Sequence, residues 1–425
     1  MVYIKKGIKE LNQLRLEKID IINANKVIYN YSVTGEWERY FSGQRTAFIE
    51  YDADISSVPD AVLAIPFVCN ILPVLWLCDG ELFVKSLDGD FLENLPFVKE
   101  GYCNMYPMLN FGGKIHSQAE IVKPAKSPGT SACFFSGGVD AHTTFFRHLD
   151  EKPALLTIWG CDVKLSDLAG WDNVMKHVTN TAETYGVNSY GIKSDFRSVL
   201  QESKLNKLVR LTGTGWWFGL QHSISIISHA APLAFIFGWK RVFIASSVTE
   251  EFKDGCGCAS VPSIDGHLCF CGCRTVHDGY EWDRQQKVAY LISCYKKFHK
   301  PLKLRVCWES AGGDNCSHCE KCYRTILELI SEGADPNEYG FSWGIEDIRR
   351  CKYELLYEIQ LSKLFIELFY LPIQRRFQEN REKINHYEEY GWLTECDFSK
   401  YNSLERRLCR TKLGKLLARI IYKLK

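Results

Sequence analysis

Hydrophobic and polar positions divide the chain into three stretches. Up to Lys126, short runs such as KVIYNYSV, TAFIEY and ELFVKSL place apolar residues between polar ones and turn residues, which predicts strands. From Ser131 the pattern changes to apolar ACFF, the glycine turn and helix SGGVDAHTTFFRHL, then ALLTIWG, GWDNVMKHVTNTAETYG and NSYGI. An apolar helix WWFGLQHSISIISHAAPLAFIFG, a strand RVFIASS, a cysteine-rich loop, the helix DRQQKVAYLISCY and the strand LKLRVCW follow. This alternation predicts a parallel sheet with covering helices. The last stretch, with YELLYEIQLSKLFIELFYL, reads as mostly helical. The expected fold class is therefore α/β: a doubly wound parallel sheet over 127–332, an accessory α+β domain over 1–126, and a helical region over 333–425. The Pro/Gly/Ser-rich connector KPAKSPGTS marks the first boundary.

The most apolar stretch, Val58 to Cys78, is long enough to span a bilayer but contains Asp60, Asn70 and the prolines Pro59, Pro66 and Pro73. A buried helix and strand are expected there. The first residues, MVYIKKGIKELNQLRLEKIDI, break their apolar positions with charge and show no secretion signal, so a cytoplasmic setting with reduced thiols is expected. With 425 residues, 46% hydrophobic and 24% charged, the chain can build a large core, and a net charge of +1 argues against nucleic acid as a main partner. The basic end, RRLCRTKLGKLLARIIYKLK, reads as a packed amphipathic helix ahead of one lying on anionic lipid or an acidic partner.

Chemistry concentrates in FFSGGVDAHT, where Ser136, Gly137, Gly138, Val139 and Asp140 follow a buried strand and open a helix. Free N–H groups and the positive helix end make such a turn an anion site, and glycines let the backbone approach phosphate oxygens. Asp140 is suited to hold Mg²⁺ or to orient the loop. Ordinary strand-to-helix turns also use paired glycines, so the turn alone leaves both readings open. Downstream, Ser246 closes RVFIASS at a carboxyl strand end, and Arg284 opens the helix DRQQKVAYL with Lys287 one turn on.

SGGVDA after an apolar strand resembles the SGGxDS motif of PP-loop (N-type) ATP pyrophosphatases, with Ala141 replacing the final serine. The resemblance implies ATP and Mg²⁺ bound over Ser136–Asp140, with Ser246 near the nucleotide. It also implies that Arg284 stabilises the leaving pyrophosphate, making Asp140 and Arg284 the candidates for catalysis.

CWESAGGDNCSHCEKCYRT sets Cys307, Cys316, Cys319 and Cys322 at spacings that let four thiolates converge on one ion. Zn²⁺ in a closed, structural shell is expected, with an iron–sulfur cluster as the competitor. With Arg324 following, the pattern is similar to that of 7-cyano-7-deazaguanine synthases, and together the motifs cover about Ser131 to Ile330. The cysteines scattered outside this set and the run from Cys256 to Cys273 read as buried hydrophobes, while that run leaves a second metal or redox site open. Those from Cys256 to Cys273 lie in a loop expected at the mouth of the site, where Ser260, Asp265 and His267 could contact substrate.

The resemblance implies a ligase that adenylates a carboxylate or amide of a carboxylate-bearing substrate for attack by a nitrogen nucleophile. Alternatives sharing the nucleotide site are a sulfurtransferase acting on tRNA or a small molecule, a sugar amidotransferase, a deazaguanine-type modifier of a protein partner docked on the terminal regions, and a non-catalytic nucleotide-binding scaffold.

Overall fold

The computed structural model describes residues 11–126, 129–252, 257–307, 313–398 and 401. Its strands are β1 (Gln13–Ile22), β2 (Lys26–Thr34), β3 (Thr46–Tyr51), β4 (Glu81–Asp88), β5 (Lys114–Glu120), β6 (Thr130–Phe134), β7 (Ala154–Trp159), β8 (Ser189–Ser194), β9 (Trp239–Ala245), β10 (Cys269–Phe270) and β11 (Cys273–Asp278). All eleven form one sheet, mostly parallel, in the order β10-β11-β9-β6-β7-β8-β3-β2-β1-β4-β5. The sheet does not break at the connector near Lys126. Antiparallel pairing of β3 with β8, with Ile49 opposite Ser194 and Tyr51 opposite Ile192, continues it from one half to the other. The connector thus separates two topologies within one sheet.

Alternation along the strands divides the interior into two cores, because successive side chains of a strand face opposite ways. On β6, Ala132 and Phe134 join one core, while Cys133 and the following Phe135 join the other. The first core packs α1 (Asp60–Leu77), α2 (Gly89–Met105) and the helical segment Trp217–Phe237 on its face. The second takes α3 (Val139–Arg147), α4 (Leu168–Tyr185), the Arg284–Phe298 and Glu320–Ser331 helices, and the helical turns that follow.

The apolar stretch after Val58 forms one helix, not the expected helix and strand. Pro66 and Pro73 both lie inside α1, every residue of which from Ala61 to Trp76 is buried. Tertiary packing overrides the helix-breaking tendency of proline here. Its interior polar side chain is satisfied: Asn70 Nδ2 donates to the Pro66 carbonyl at 2.8 Å, and Oδ1 accepts from Gln221 Nε2 at 3.1 Å and Ser225 Oγ at 2.7 Å. The α1 and Trp217–Phe237 segments are both long and apolar enough to cross a membrane, and both are mostly enclosed by protein.

The cysteine-rich loop is also placed differently. Cys269 to Cys273 form the β10–β11 hairpin, whose two-residue turn, Cys271 and Gly272, has φ of 52° and 74°. The one-residue cysteine spacing is strand alternation through a tight turn. The hairpin lies at the amino end of β11, whereas the glycine turn follows the carboxyl end of β6, so this half of the loop is not at the mouth of the site. Cys256 and the basic terminal helix lie outside the described residues.

His229 is fully buried beneath the sheet, its Nδ1 on the Ser225 carbonyl and Nε2 2.9 Å from Ser194 Oγ. Burial pulls its pKa from 6.5 down to about 4, against the opposing bond to Ser225. The unfolded chain therefore protonates first: the stabilisation is complete above pH 6.5 and is lost as pH falls towards about 4. Denaturant titrations over this range should show His229 contributing about 1.4 kcal/mol of lost stability per pH unit. His229→Gln should flatten the profile by that amount, and an unaltered slope would refute the assignment.

Candidate functional site

Among the parallel strands the chain runs from β6 out to β7 and β8 on one side, then returns to place β9 and β11 on the other. This order is shared by doubly wound α/β sheets, and it opens a crevice between β6 and β9 beyond their carboxyl ends. The Ser136–Gly138 turn lies there. Gly138 caps α3 in extended conformation, with φ −79°, so the first N–H groups of the helix are left open. Gly137 has φ 80°, and a Cβ on it would stand 2.7 Å from the His177 ring. The turn is latched by Arg305, whose N–H donates to the Gly137 carbonyl at 2.7 Å and whose Nη1 donates to the Ser136 carbonyl at 3.0 Å. His142 Nδ1 lies 3.1 Å from the Gly138 carbonyl, which can only accept, so this nitrogen carries the proton. Burial, reinforced by neighbouring His177, pulls the pKa of His142 down to about 3.

Asp140, on the first turn of α3, meets Arg284 Nη1 at 3.0 Å and Lys287 Nζ at 3.2 Å. Burial would raise its carboxyl, but Lys287 and Arg284 outweigh burial and hold it below the usual carboxylate value. Lys287 is buried and also donates to the Ser246 carbonyl at 2.6 Å. Arg284 is held from behind: Nε lies 3.1 Å from both Glu328 oxygens, and Nη2 donates to Thr325 Oγ1 at 3.1 Å. Asp283 starts the Arg284–Phe298 helix with a reciprocal capping box to Gln286, which fixes where Arg284 and Lys287 project.

A cavity of about 800 Å³ opens over this cluster. Among the described residues, five cationic side chains line it, Lys164, Arg197, Arg284, Arg305 and Lys321, against three carboxylates, Asp140, Asp162 and Asp167. That excess suits an anionic ligand. Ser136, Gly138, Val139 and Asp140 line it as well, whereas Gly137 is buried behind the turn. Ser246 is turned away, its hydroxyl donating to the Val248 carbonyl at 2.6 Å, and Ser247 opens on the cavity in its place. Asp265 is buried elsewhere, tied to Ser223, Ser260 and His277, and His267 stacks on Phe97.

The sulfurs of Cys307, Cys316, Cys319 and Cys322 lie within 4.8 Å of one another, forming a four-cysteine metal site compatible with zinc. Four thiolates at about 2.3 Å from one tetrahedral ion are about 3.8 Å apart. The Cys307–Cys319 and Cys316–Cys322 separations are both 3.9 Å. A [4Fe–4S] cluster binds each thiolate through a separate iron and a [2Fe–2S] cluster splits the four into two pairs on two irons, so either needs wider spacing across the set than a single ion does. The Cys319 N–H donates to Cys316 Sγ at 3.2 Å, and hydrogen bonding from Cys322 pulls the Cys319 thiol down to about 5. The predicted strand LKLRVCW pairs with no strand over its described residues; Asn315 instead ties it to the cysteine site, accepting from the N–H groups of Val306 and Cys307 and donating to the carbonyls of Leu304 and Gly340. No second group of this kind occurs among the described residues.

No protein-family model and no curated protein matches the chain. The geometry brings together the glycine turn, Asp140 and Arg284, as well as the four cysteines. It adds Lys287, Lys321, Arg305, Thr325 and Glu328. The sequence places Lys287 one turn beyond Arg284 without assigning it a role; the others depend on contacts between distant segments.

Gly137→Ala should cost about 1–3 kcal/mol through its left-handed backbone, with a further shift of His177. Gly138→Ala, whose Cβ would meet nothing nearer than 3.5 Å, should fold like the parent. Urea unfolding compares the two, and equal stability of both variants would contradict this reading of the turn.

Proposed function

We propose that the chain is an ATP pyrophosphatase-type ligase of the PP-loop superfamily, adenylating a carboxylate-bearing substrate for attack by a nitrogen nucleophile. The observation that carries the reading is the convergence of two buried cations, Arg284 and Lys287, on Asp140 at the open amino end of α3, beside a cavity rich in positive charge. A triphosphate on the turn would receive α3 N–H groups and the side chains of Arg284 and Lys321, which line the cavity.

In the proposed reaction a substrate carboxylate oxygen attacks the α phosphorus, the bond from the α phosphorus to the bridging oxygen breaks, and pyrophosphate leaves with that electron pair. Arg284, which lines the cavity, stabilises the charge developing on it. The nitrogen nucleophile then attacks the acyl carbon and expels AMP. Asp140 is the carboxylate suited to Mg²⁺ that accompanies ATP, and its side chain, 19% exposed, is engaged by Arg284 and Lys287, so metal binding requires a rearrangement of these pairs. Zinc fits the four-cysteine site and would supply a closed structural link. The hairpin cysteines give sulfur transfer no support, because burial raises the thiols of Cys271 and Cys273 away from the reactive thiolate.

Incubation with Mg-ATP and a panel of small carboxylic acids and amines should release pyrophosphate, and Asp140→Asn should reduce the rate about 100-fold. Absence of pyrophosphate with every acid, together with unchanged ATP binding by the variant, would overturn the reading. Metal analysis should return about one zinc per chain, lost in Cys322→Ser; iron with sulfide in its place would contradict the zinc assignment.

A further inference from the structure

The Glu320–Ser331 helix begins inside the four-cysteine site, with Cys319 as its cap and Cys322 on its first turn. One turn on, Thr325 Oγ1 does two things. It donates to the carbonyl of Lys321, one of the two residues between Cys319 and Cys322, at 3.0 Å, and it accepts from Arg284 Nη2 at 3.1 Å. On the same face Glu328, 1% exposed, accepts from Arg284 Nε through both oxygens. A second set of bonds clamps the two helices further down, where Gln285 Nε2 donates to the Glu328 carbonyl, Ser331 Oγ and Glu332 Oε1.

A guanidinium has five N–H donors in a fixed plane. Three are engaged: Nε by Glu328, one on Nη1 by Asp140 and one on Nη2 by Thr325. One donor on each terminal nitrogen has no partner among these contacts, and Arg284 lines the cavity. Two such donors match two oxygens of a phosphate. Where they aim depends on what holds the rest of the plane, and that is the helix rooted in the cysteine site.

We infer that Thr325 and Glu328 are positioning residues for Arg284, and that through them the four-cysteine site governs how tightly the cavity binds a phosphate anion. This rests on the nucleotide reading of the cavity. The relay is short: metal-binding turn, Lys321 carbonyl, Thr325 hydroxyl, Arg284 guanidinium. With the knuckle ordered, the hydroxyl and carboxylate fix the guanidinium plane. With it released, the first turn of the helix loses its anchor, and Arg284 keeps Asp140 as its remaining anionic partner outside that helix.

The test measures Mg-ATP and pyrophosphate binding calorimetrically in the full chain, with bound metal quantified in the same samples. Thr325→Val removes the hydroxyl at nearly constant shape, and Thr325→Ser restores it. The valine variant should keep its metal and bind both probes about tenfold more weakly, with the serine variant close to the parent. Glu328→Gln, which keeps an acceptor without the charge, should also weaken binding. Chelating the metal from the parent should weaken binding by a similar factor, and chelation of Thr325→Val should add little, since both act through one contact. Parent-like or tighter binding by metal-replete Thr325→Val and Glu328→Gln would overturn the inference while leaving the nucleotide site intact. Failure of the metal-replete parent to bind either probe would remove the nucleotide reading and this inference with it.

Discussion

Four charged side chains, Asp140, Arg284, Lys287 and Glu328, meet where three segments of the chain converge, and the site depends on their mutual neutralisation. Each comes from an element that would otherwise be free to slide: Asp140 from α3, Arg284 and Lys287 from the helix after β11, and Glu328 from the helix after the cysteines. A buried charge is tolerated only with close partners, and removing one partner leaves the other uncompensated at a cost of about 3–5 kcal/mol. The pairing geometry therefore fixes the elements against one another. Burial raises the Glu328 carboxyl, opposed by Arg284 and Arg324, while the two cations keep Asp140 low.

This cluster also explains why the sheet and the cysteine site belong to one functional unit. The strand order puts the glycine turn at the crevice between β6 and β9, where a helix start can meet a ligand. The latch from Arg305 to that turn comes from the segment that ends in Cys307, and Asn315 binds the same segment to the knuckle. Two routes therefore connect the four thiols to the cavity: one through Arg305 to the Ser136 and Gly137 carbonyls, the other through Thr325 and Glu328 to Arg284. The cysteine region acts as a staple on both sides of it.

What was legible in the sequence is what local spacing encodes. Two glycines between an apolar strand and a helix, and cysteines two residues apart, state their geometry within a few positions, and both are formed. Partnerships across long separations were not legible: Asp140 and Arg284 are 144 residues apart, and only the fold brings them together. The joining of β3 to β8 was hidden for the same reason, since an alternating strand does not name its neighbour. The cysteines from Cys269 to Cys273 left a second metal site open in the sequence, because strand alternation around a tight turn produces the same one-residue spacing as a ligand set. In α1 the prolines argued for an interruption, yet burial of the whole helix against the Trp217–Phe237 segment outweighed them.

A crystal structure with Mg²⁺ and α,β-methylene-ATP, which cannot be cleaved at the bond in question, decides whether the glycine turn and Arg284 receive a triphosphate. Phosphate oxygens should lie on the first N–H groups of α3 and on Arg284, with at least one of the Asp140 ion pairs opened to admit the ligand and its metal. An analogue bound away from the turn, with the pairs from Asp140 to Arg284 and Lys287 unchanged, would contradict this reading.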